Sequence, residues 1–136
     1  MRRRLFWHAI LLLLLALVIG GVVPLFRNPR MGLTAHVGTL MSGLFVGLAG
    51  ALWNDLRLSA RATAASFWCT LVANYLNSVG LVVAAVFGTS GMTPIAGAGF
   101  AGLPWQEMLA DALLIGGAIP TFAVCVLLLR GLGGRE

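Results

Sequence analysis

Four long hydrophobic segments dominate the sequence, at residues 5–26, 33–53, 64–87 and 106–129. A helix needs roughly 20 apolar residues to cross the hydrocarbon core of a bilayer, and each segment meets that length. Of the 136 residues, 60% are hydrophobic and 10% are charged, so little sequence remains for a water-soluble domain. The sequence therefore predicts an all-α integral membrane four-helix bundle that forms a single domain over residues 1–136.

The distribution of arginine predicts the orientation of the bundle, because positively charged connectors stay in the cytoplasm. All nine basic residues are arginines; Arg27 and Arg30 lie in one connector, and the other seven are at positions 2, 3, 4, 57, 61, 130 and 135. Placing both termini in the cytoplasm puts those seven inside and two outside. We interpret the net charge of +5 as a signal for topology and lipid headgroups, since no basic face or stacking platform indicates nucleic-acid binding.

The sequence lacks the common motifs of soluble enzymes. It contains no CxxC, Walker loop, GxGxxG or paired-carboxylate motif, and no internal repeat typical of inverted-topology transporters. Its two cysteines, Cys69 and Cys125, each lie within a predicted helix. We expect them to pack as small apolar residues, without forming a disulfide or binding a metal.

Polar residues of the third segment form a stripe. Ser66, Thr70, Asn74, Asn77 and Ser78 follow spacings that place them along one helix face, which we expect to point into the bundle. Hydrogen bonding between helices is one explanation, and for Ser66 and Thr70 it is as good as a functional one. For Asn74 and Asn77 we favour a functional role, because each amide needs several partners.

Small residues and one histidine share a face of the second segment, namely His36, Thr39, Gly43, Gly47 and Gly50. The glycines include a GxxxG match and favour close helix contact, the alternative being a flat cofactor lying in the groove that they form. His36 lies on this small-residue face that we expect to point inward. Because imidazole is the commonest metal ligand, we favour a metal-ligand role for His36 over a purely interfacial one.

Ionisable groups of the first and fourth segments are less informative. His8 follows Trp7 in the first turn, where anchoring at the membrane interface is the simpler role. Glu107 lies where the dipole of the fourth helix stabilises it, whereas Asp111 lies one turn deeper and is equally suited to packing or to orienting a ligand. Pro120 is expected to kink the helix.

Helix depth suggests that these polar groups meet. With both termini inside, Asn77 and Ser78 fall in the external half of the third helix. His36 and Asp111 each fall within about two turns of the external ends of their helices. We therefore expect one polar pocket in the outer half of the bundle. The uncharged connector 88–103 would act as a lid over it, admitting an apolar substrate from the membrane.

Several runs resemble the small bacterial hydroxylaminobenzene mutases. They are NPRMGLTAH at 28–36, ANY at 73–75, GTSGMTPI at 88–95 and PWQE at 104–107. A more distant resemblance is to styrene oxide isomerase, through AHVG at 35–38 and the Ala-Asn pair that begins at Ala73. The order of these runs along the helices carries the resemblance, which covers nearly the whole chain.

The resemblance implies a membrane-bound isomerase of the bacterial cytoplasmic membrane that converts an arylhydroxylamine to an ortho-aminophenol without a cosubstrate. In styrene oxide isomerase a ferric haem b is bound within a homotrimer by the histidine that matches His36, and it acts as a Lewis acid. By that likeness His36 is the axial ligand here, and we expect Thr39 and Gly43, on the same helix face, to border the haem. The likeness also implies a small lipophilic aromatic substrate.

The candidate catalytic residues are Asn74, Tyr75, Asn77, Ser78 and Asp111. Two positions depart from the isomerase pattern, because Ser42 stands in place of an asparagine and Ser78 aligns with the catalytic tyrosine. Epoxide isomerisation of the styrene oxide type is therefore an alternative to the mutase reaction. A non-enzymatic haem-associated or quinone-associated membrane subunit is the alternative from another class, in which two axial ligands are usual.

Overall fold

The computed structural model describes residues 1–133, which form four long helices and no strand. They are α1 (Arg2–Gly21), α2 (Pro29–Leu52), α3 (Ala60–Phe87) and α4 (Pro104–Leu132), and a short 3-10 turn, Val23–Leu25, follows α1. Each of the four is long and apolar enough to cross a membrane. The predicted all-α membrane bundle is confirmed, while Arg135, predicted to be cytoplasmic, lies outside the described residues.

Capping residues set the helix ends beyond the hydrophobic segments. Asn28 caps α2 by accepting a hydrogen bond from the backbone N–H of Met31 at 3.1 Å, and Pro29 suits the first helical position. Ser59 caps α3 in the same way. The same helix ends at Gly88, whose φ of 65° is a left-handed conformation that glycine adopts without strain.

The helices pack in chain order, α1 along α2, α2 along α3 and α3 along α4, so α2 and α3 form the centre of the bundle. One buried cluster, around Val46 and Phe67, joins the first three helices. A second cluster, around Met31 and Leu81, extends to α4. Because lipid is as apolar as leucine, this close packing stabilises the bundle more than the removal of apolar surface from water does.

The connectors define two ends of the molecule. At the loop end, formed by connectors 22–28 and 88–103, the Asn28 N–H donates to the Ala85 carbonyl at 3.2 Å. At the terminal end, which holds the N-terminus, connector 53–59 and the end of α4, the Arg57 N–H donates to the Gly131 carbonyl at 2.9 Å. The prediction that the terminal end faces the cytoplasm stays a prediction.

Candidate active site

Two asparagines of α3 line a groove between α2, α3 and α4. Asn77 reaches α2 and donates from Nδ2 to the Ser42 hydroxyl at 3.3 Å. Asn74 donates from Nδ2 to the Thr70 carbonyl, one turn earlier in α3, at 2.7 Å. Within the described chain no group donates to either amide oxygen, so both amides retain the capacity to bind a ligand.

The groove has a volume of about 570 Å³, which is in the range of small-molecule sites. Its lining is mostly apolar and consists of Gly38, Met41, Ser42, Phe45, Asn74, Asn77, Ala118, Thr121, Phe122 and Cys125. Met41 and Phe122 are 57% and 76% exposed, so the groove opens on the outer surface of the bundle, where lipid would lie. An apolar molecule dissolved in the bilayer has direct access to the amides.

The position of the groove differs from the expected one. Ser42 and Asn74 lie close to the middle of their helices, not in the outer half of the bundle. The connector 88–103, predicted to act as a lid, contributes no residue to the lining. Asn77 lies in the half of α3 that is nearer the loop end, but the residues that meet it come from the middle of α2 and α4.

Two of the three hydroxyls in the polar stripe bond within their own helix, and the third, that of Ser66, is buried with no hydrogen-bond partner in the described chain. Thr70 donates to the Ser66 carbonyl at 2.7 Å, and Ser78 donates to the Asn74 carbonyl at 2.8 Å. Both side chains are buried, as expected, but neither forms the interhelical hydrogen bond that the stripe suggested. Within the described residues, Asn77 is the member of this stripe whose side chain forms a hydrogen bond to a neighbouring helix.

His36 faces α1, away from the groove. Its Nδ1 donates to the carbonyl oxygen of Ala16 at 2.7 Å, because a carbonyl can only accept. A Cβ at Gly20 would lie 2.7 Å from the same nitrogen, so the missing side chain at Gly20 makes room for the ring. A helix turns 100° per residue, so Phe45 in the groove lies about 180° around α2 from His36. One protomer therefore does not bring His36 and the amides together.

The glycine face of α2 packs against α1. A Cβ at Gly43 would lie 3.1 Å from the Ala9 carbonyl oxygen, and one at Gly50 would lie 3.3 Å from Leu5. This favours the helix-contact interpretation, and within one protomer it leaves no space for a flat cofactor beside Gly43. Thr39 is fully buried, and its hydroxyl has no hydrogen-bond partner in the described chain.

Tyr75 and Ser78 lie on the side of α3 that faces α1. The Tyr75 hydroxyl and Nδ1 of His8 are 2.8 Å apart, and the two rings meet edge to face. Both Tyr75 and Ser78 border an apolar cavity of about 290 Å³ that also includes Thr39. Two candidate catalytic residues are therefore separate from the amide groove. His8, predicted to be an interfacial anchor, has a specific partner that its sequence position did not indicate.

Asp111 and Glu107 hold the connector 88–103. Glu107 accepts hydrogen bonds from the backbone N–H groups of Gly91 at 2.9 Å and Gly102 at 2.8 Å. Asp111 accepts one from the N–H of Met92 at 3.1 Å. Because Asp111 is occupied by the backbone of a connector, it does not meet Asn77 in the expected pocket.

The same connector is also held by α2 and the residues before it. Asn28 donates from Nδ2 to the Ala96 carbonyl at 3.0 Å, and Arg30 donates to the Ala98 carbonyl. Arg27 donates to the Phe87 carbonyl at 2.8 Å. These contacts place the NPR run at the loop end, where its side chains join α2 to the connector.

Two features of the groove were not anticipated from sequence. A Cβ at Gly117 would lie 3.0 Å from both the Ala73 carbonyl oxygen and the Asn77 nitrogen, so this glycine lets α4 approach α3 beside the amides. Thr121 donates to the Gly117 carbonyl at 2.8 Å and lines the groove beside Pro120. The adjacent glycines at 116 and 117 could have indicated this approach of α4 to α3, because glycines in membrane helices are typical of close helix contact.

The arrangement of metal-ligating residues is compatible with a single axial ligand. Within residues 1–133 no group of three or more His, Cys, Asp or Glu side chains could hold a metal ion. Cys69 and Cys125 form no disulfide within the described residues, and Cys125 lines the groove. His36 donates from Nδ1 to a backbone carbonyl, the usual second contact of a metal-binding histidine, and Nε2 has no protein partner in the described residues. This geometry fits an axial ligand.

Comparisons with known proteins agree on the family of this chain. A model of the styrene oxide isomerase family matches residues 1–133. Hydroxylaminobenzene mutase HabB of Ectopseudomonas oleovorans is 36% identical to this chain over 131 residues, which are 96% of this chain and 80% of that protein. Hydroxylaminobenzene mutase HabA of the same organism is 34% identical over 133 residues, covering 97% of this chain and 98% of that protein. No solved structure matches the chain significantly.

Proposed function

We propose that this chain, which belongs to the styrene oxide isomerase family and is an isomerase, converts an arylhydroxylamine to an ortho-aminophenol. The observation that carries the proposal is the pair of amides, Asn74 and Asn77, in an apolar groove that opens towards lipid. The names of the two relatives support the substrate class. We place the enzyme in the bacterial cytoplasmic membrane with both termini in the cytoplasm.

The proposed reaction is balanced without a cosubstrate. The N–O bond breaks, and the oxygen forms a new bond to the ortho carbon of the ring. That carbon loses its hydrogen as a proton, and the nitrogen gains a proton to become an amine. Substrate and product are therefore isomers, in agreement with the enzyme class of the family.

The groove suits a small aromatic molecule with one polar end. Met41, Phe45 and Phe122 provide an apolar lining for the ring. The amide oxygens of Asn74 and Asn77 can accept hydrogen bonds from the N–H and O–H of the hydroxylamine group. Holding that group fixed while positive charge develops on nitrogen and ring would stabilise the transition state and keep the oxygen near the ortho carbon.

We also propose a ferric haem b, from the resemblance of the chain to styrene oxide isomerase. The orientation of His36 supports it as the axial ligand, since Nδ1 is fixed by Ala16 and Nε2 is left without a protein partner. The haem would supply a Lewis acid, which makes the hydroxylamine oxygen a better leaving group. Ala16 and Gly20 would position the ligand through the hydrogen bond and the space that they provide.

A homotrimer would resolve the separation of His36 from the amides. Because they lie on opposite faces of α2, we propose that His36 of one protomer acts together with the groove of a neighbouring protomer. Co-expression of His36→Ala with Asn77→Leu tests this arrangement. We expect mixed trimers to regain a clear fraction of the wild-type activity, whereas each variant alone keeps no more than about 1% of it. Absence of any recovery in trimers shown to be mixed would contradict it.

The test of the function is an assay of the full chain, purified in detergent and loaded with haem. We expect phenylhydroxylamine to be converted to 2-aminophenol with no added oxidant or reductant, as measured by chromatography with mass detection. The control is Ser66→Ala, a change in the same stripe of α3 but outside the groove, which should keep full activity. Loaded, folded protein that leaves phenylhydroxylamine unchanged would contradict the proposal.

Epoxide isomerisation is the second candidate, favoured by the family match over residues 1–133. It is less compatible with the described side chains, because Ser78 donates to a backbone carbonyl and Ser42 accepts from Asn77. The same assay with styrene oxide separates the two activities. Faster turnover of styrene oxide than of phenylhydroxylamine would make the epoxide the preferred substrate.

A further inference from the structure

A cleft between α1 and α3 lies at the terminal end of the bundle, apart from the amide groove. It exists because these two helices meet only loosely, each packing mainly on α2 or α4. Its volume is about 430 Å³, and its lining consists of Arg4, His8, Trp68, Leu71, Val72, Tyr75 and Leu76. Arg4, His8, Tyr75 and the indole of Trp68 supply the polar groups of this lining, and apolar side chains form the rest.

Arg4 gives the polar part of the cleft a positive charge. Its guanidinium lies over the Phe67 ring, 5.6 Å from the centroid, which directs the side chain from α1 towards α3. Among the described residues no carboxylate lies within ion-pair distance of Arg4. Beside a cleft at the membrane interface, a cation that has no carboxylate partner within residues 1–133 indicates an anionic ligand.

His8 adds a hydrogen-bond donor to the same part of the cleft. It lies four residues after Arg4, on the same face of α1. When the Tyr75 hydroxyl donates to Nδ1 across the 2.8 Å contact, the neutral imidazole carries its proton on Nε2. That N–H has no acceptor among the described side chains and backbone groups. Arg4 and His8 therefore offer complementary donors to an oxyanion.

The remainder of the cleft identifies the kind of molecule that carries this oxyanion. Leu71, Val72 and Leu76 form an apolar surface in the same lining. Trp68 lines the cleft and is 57% exposed, as is usual for tryptophan at the level of lipid headgroups. A free phosphate ion would use only the polar part, whereas a phospholipid would use both parts.

We propose that this cleft binds one anionic phospholipid from the leaflet that surrounds the terminal end of the bundle. Arg4 and His8 hold the phosphate, Tyr75 orients the imidazole of His8, and an acyl chain lies along Leu71, Val72 and Leu76. The bound lipid fills the gap that the loose contact between α1 and α3 leaves, so it also stabilises the bundle.

The experiment is a titration of delipidated full-length protein in detergent with phosphatidylglycerol or phosphatidylcholine of identical acyl chains, followed by native mass spectrometry. We expect one phosphatidylglycerol to bind at least about tenfold more tightly than phosphatidylcholine, because the two lipids share the phosphate but the choline cation neutralises it and is repelled by Arg4. Arg4→Gln should weaken that site by about thirtyfold. Tyr75→Phe, which removes the hydroxyl that orients His8, should weaken it by about threefold.

The matched control is Arg3→Gln, which removes the same charge from the adjacent position of α1 outside the cleft. Diffuse attraction to an anionic surface is about fivefold per arginine, so a loss of that size or smaller is expected for Arg3→Gln. Equal losses for the two arginine variants, or equal binding of the two lipids, would overturn the proposal. Full competition by millimolar glycerol phosphate would also overturn it, because the acyl chain would then contribute nothing. Helical circular dichroism confirms that each variant is folded, and the comparison of lipids on the wild type does not depend on any variant.

Discussion

The two faces of α2 differ in how closely the neighbouring helices pack against them. On the face towards α1, the backbone of one helix approaches the other within van der Waals distance at Gly43, and His36 is fixed by a backbone carbonyl. On the face towards α3 and α4, Ser42 meets a single amide and a groove of about 570 Å³ remains. The comparison teaches that one helix can hold a fixed imidazole on one side and an accessible polar groove on the other.

The difference follows from the size of the residues on α2 and on its neighbours. The glycines of α2 leave room for Ala9, Leu5 and Leu13 of α1, so the two helices approach closely. On the other face Ala118 and Cys125 of α4 are too small to fill the space between α4 and α2, and the groove results. Small residues therefore have two outcomes. Where the backbones of two helices approach, small residues give close packing, and where the backbones stay apart, small residues leave a groove.

The largest effect is expected on the α1 face, from His36→Ala. Loss of the axial ligand should remove the haem and lower turnover of phenylhydroxylamine by at least about 1,000-fold, because Lewis-acid activation contributes several kcal/mol. The haem absorption spectrum and product formation measure this. The control is His8→Ala, on α1, which should keep its haem. Retention of haem by the His36 variant would disprove the ligand assignment.

The next largest effect is expected on the groove face, from Asn77→Leu. Removing one preorganised polar group should lower turnover by about 100-fold while the haem spectrum stays unchanged. Steady-state kinetics and the spectrum of the same preparation measure the two quantities. If activity and haem are lost together, the separation of the two faces is wrong.

A moderate effect on stability is expected from Gly43→Ala. The new methyl would meet the Ala9 carbonyl oxygen at 3.1 Å, and overpacking of this kind costs about 1–2 kcal/mol. We expect the midpoint of thermal unfolding, followed by helical circular dichroism in detergent, to fall by a few degrees. Gly47→Ala is the control, because its Cβ would have an ordinary contact of 3.6 Å with Ala9 and should not lower the midpoint. Equal midpoints for the two variants would show that the α1 face is not tightly packed at Gly43.

The smallest effect is expected from Ser42→Ala, one position earlier in α2. This change removes the acceptor of the Asn77 amide, which costs about 1 kcal/mol and corresponds to roughly a fivefold loss of turnover. The unfolding midpoint should fall by no more than a few degrees, because the loss of this hydrogen bond costs about 1 kcal/mol of stability. A lower midpoint with unchanged turnover would mean that Ser42 serves packing and not the groove.

The fold could be predicted from the sequence because the length and composition of each span are sufficient to identify a membrane helix. The inward direction of Thr70, Asn74 and Ser78 was also predictable, since a polar stripe cannot face lipid without large cost. The helix ends were harder to predict than the spans. Caps at Asn28 and Ser59 allow α2 and α3 to begin in polar residues, which lie outside the segments that hydropathy identifies.

The expected single pocket was wrong for a physical reason. Depth along a helix follows from residue number, but the direction in which a residue faces depends on how the whole bundle is arranged. His36 and Ser42 lie less than two turns apart on α2 but face different neighbours, α1 and α3. Asp111 is occupied by Met92, a backbone donor that no helical periodicity predicts. The contact between His8 and Tyr75 joins residues 67 positions apart.

The hydrogen bond from His36 to Ala16 has a consequence for biosynthesis. Both groups belong to the hairpin of α1 and α2, which ends at Leu52. The imidazole can therefore be oriented as soon as the first two spans associate, before the ribosome has released α3 and α4. The order of synthesis thus allows the imidazole to be in place while the remainder of the bundle is still being inserted.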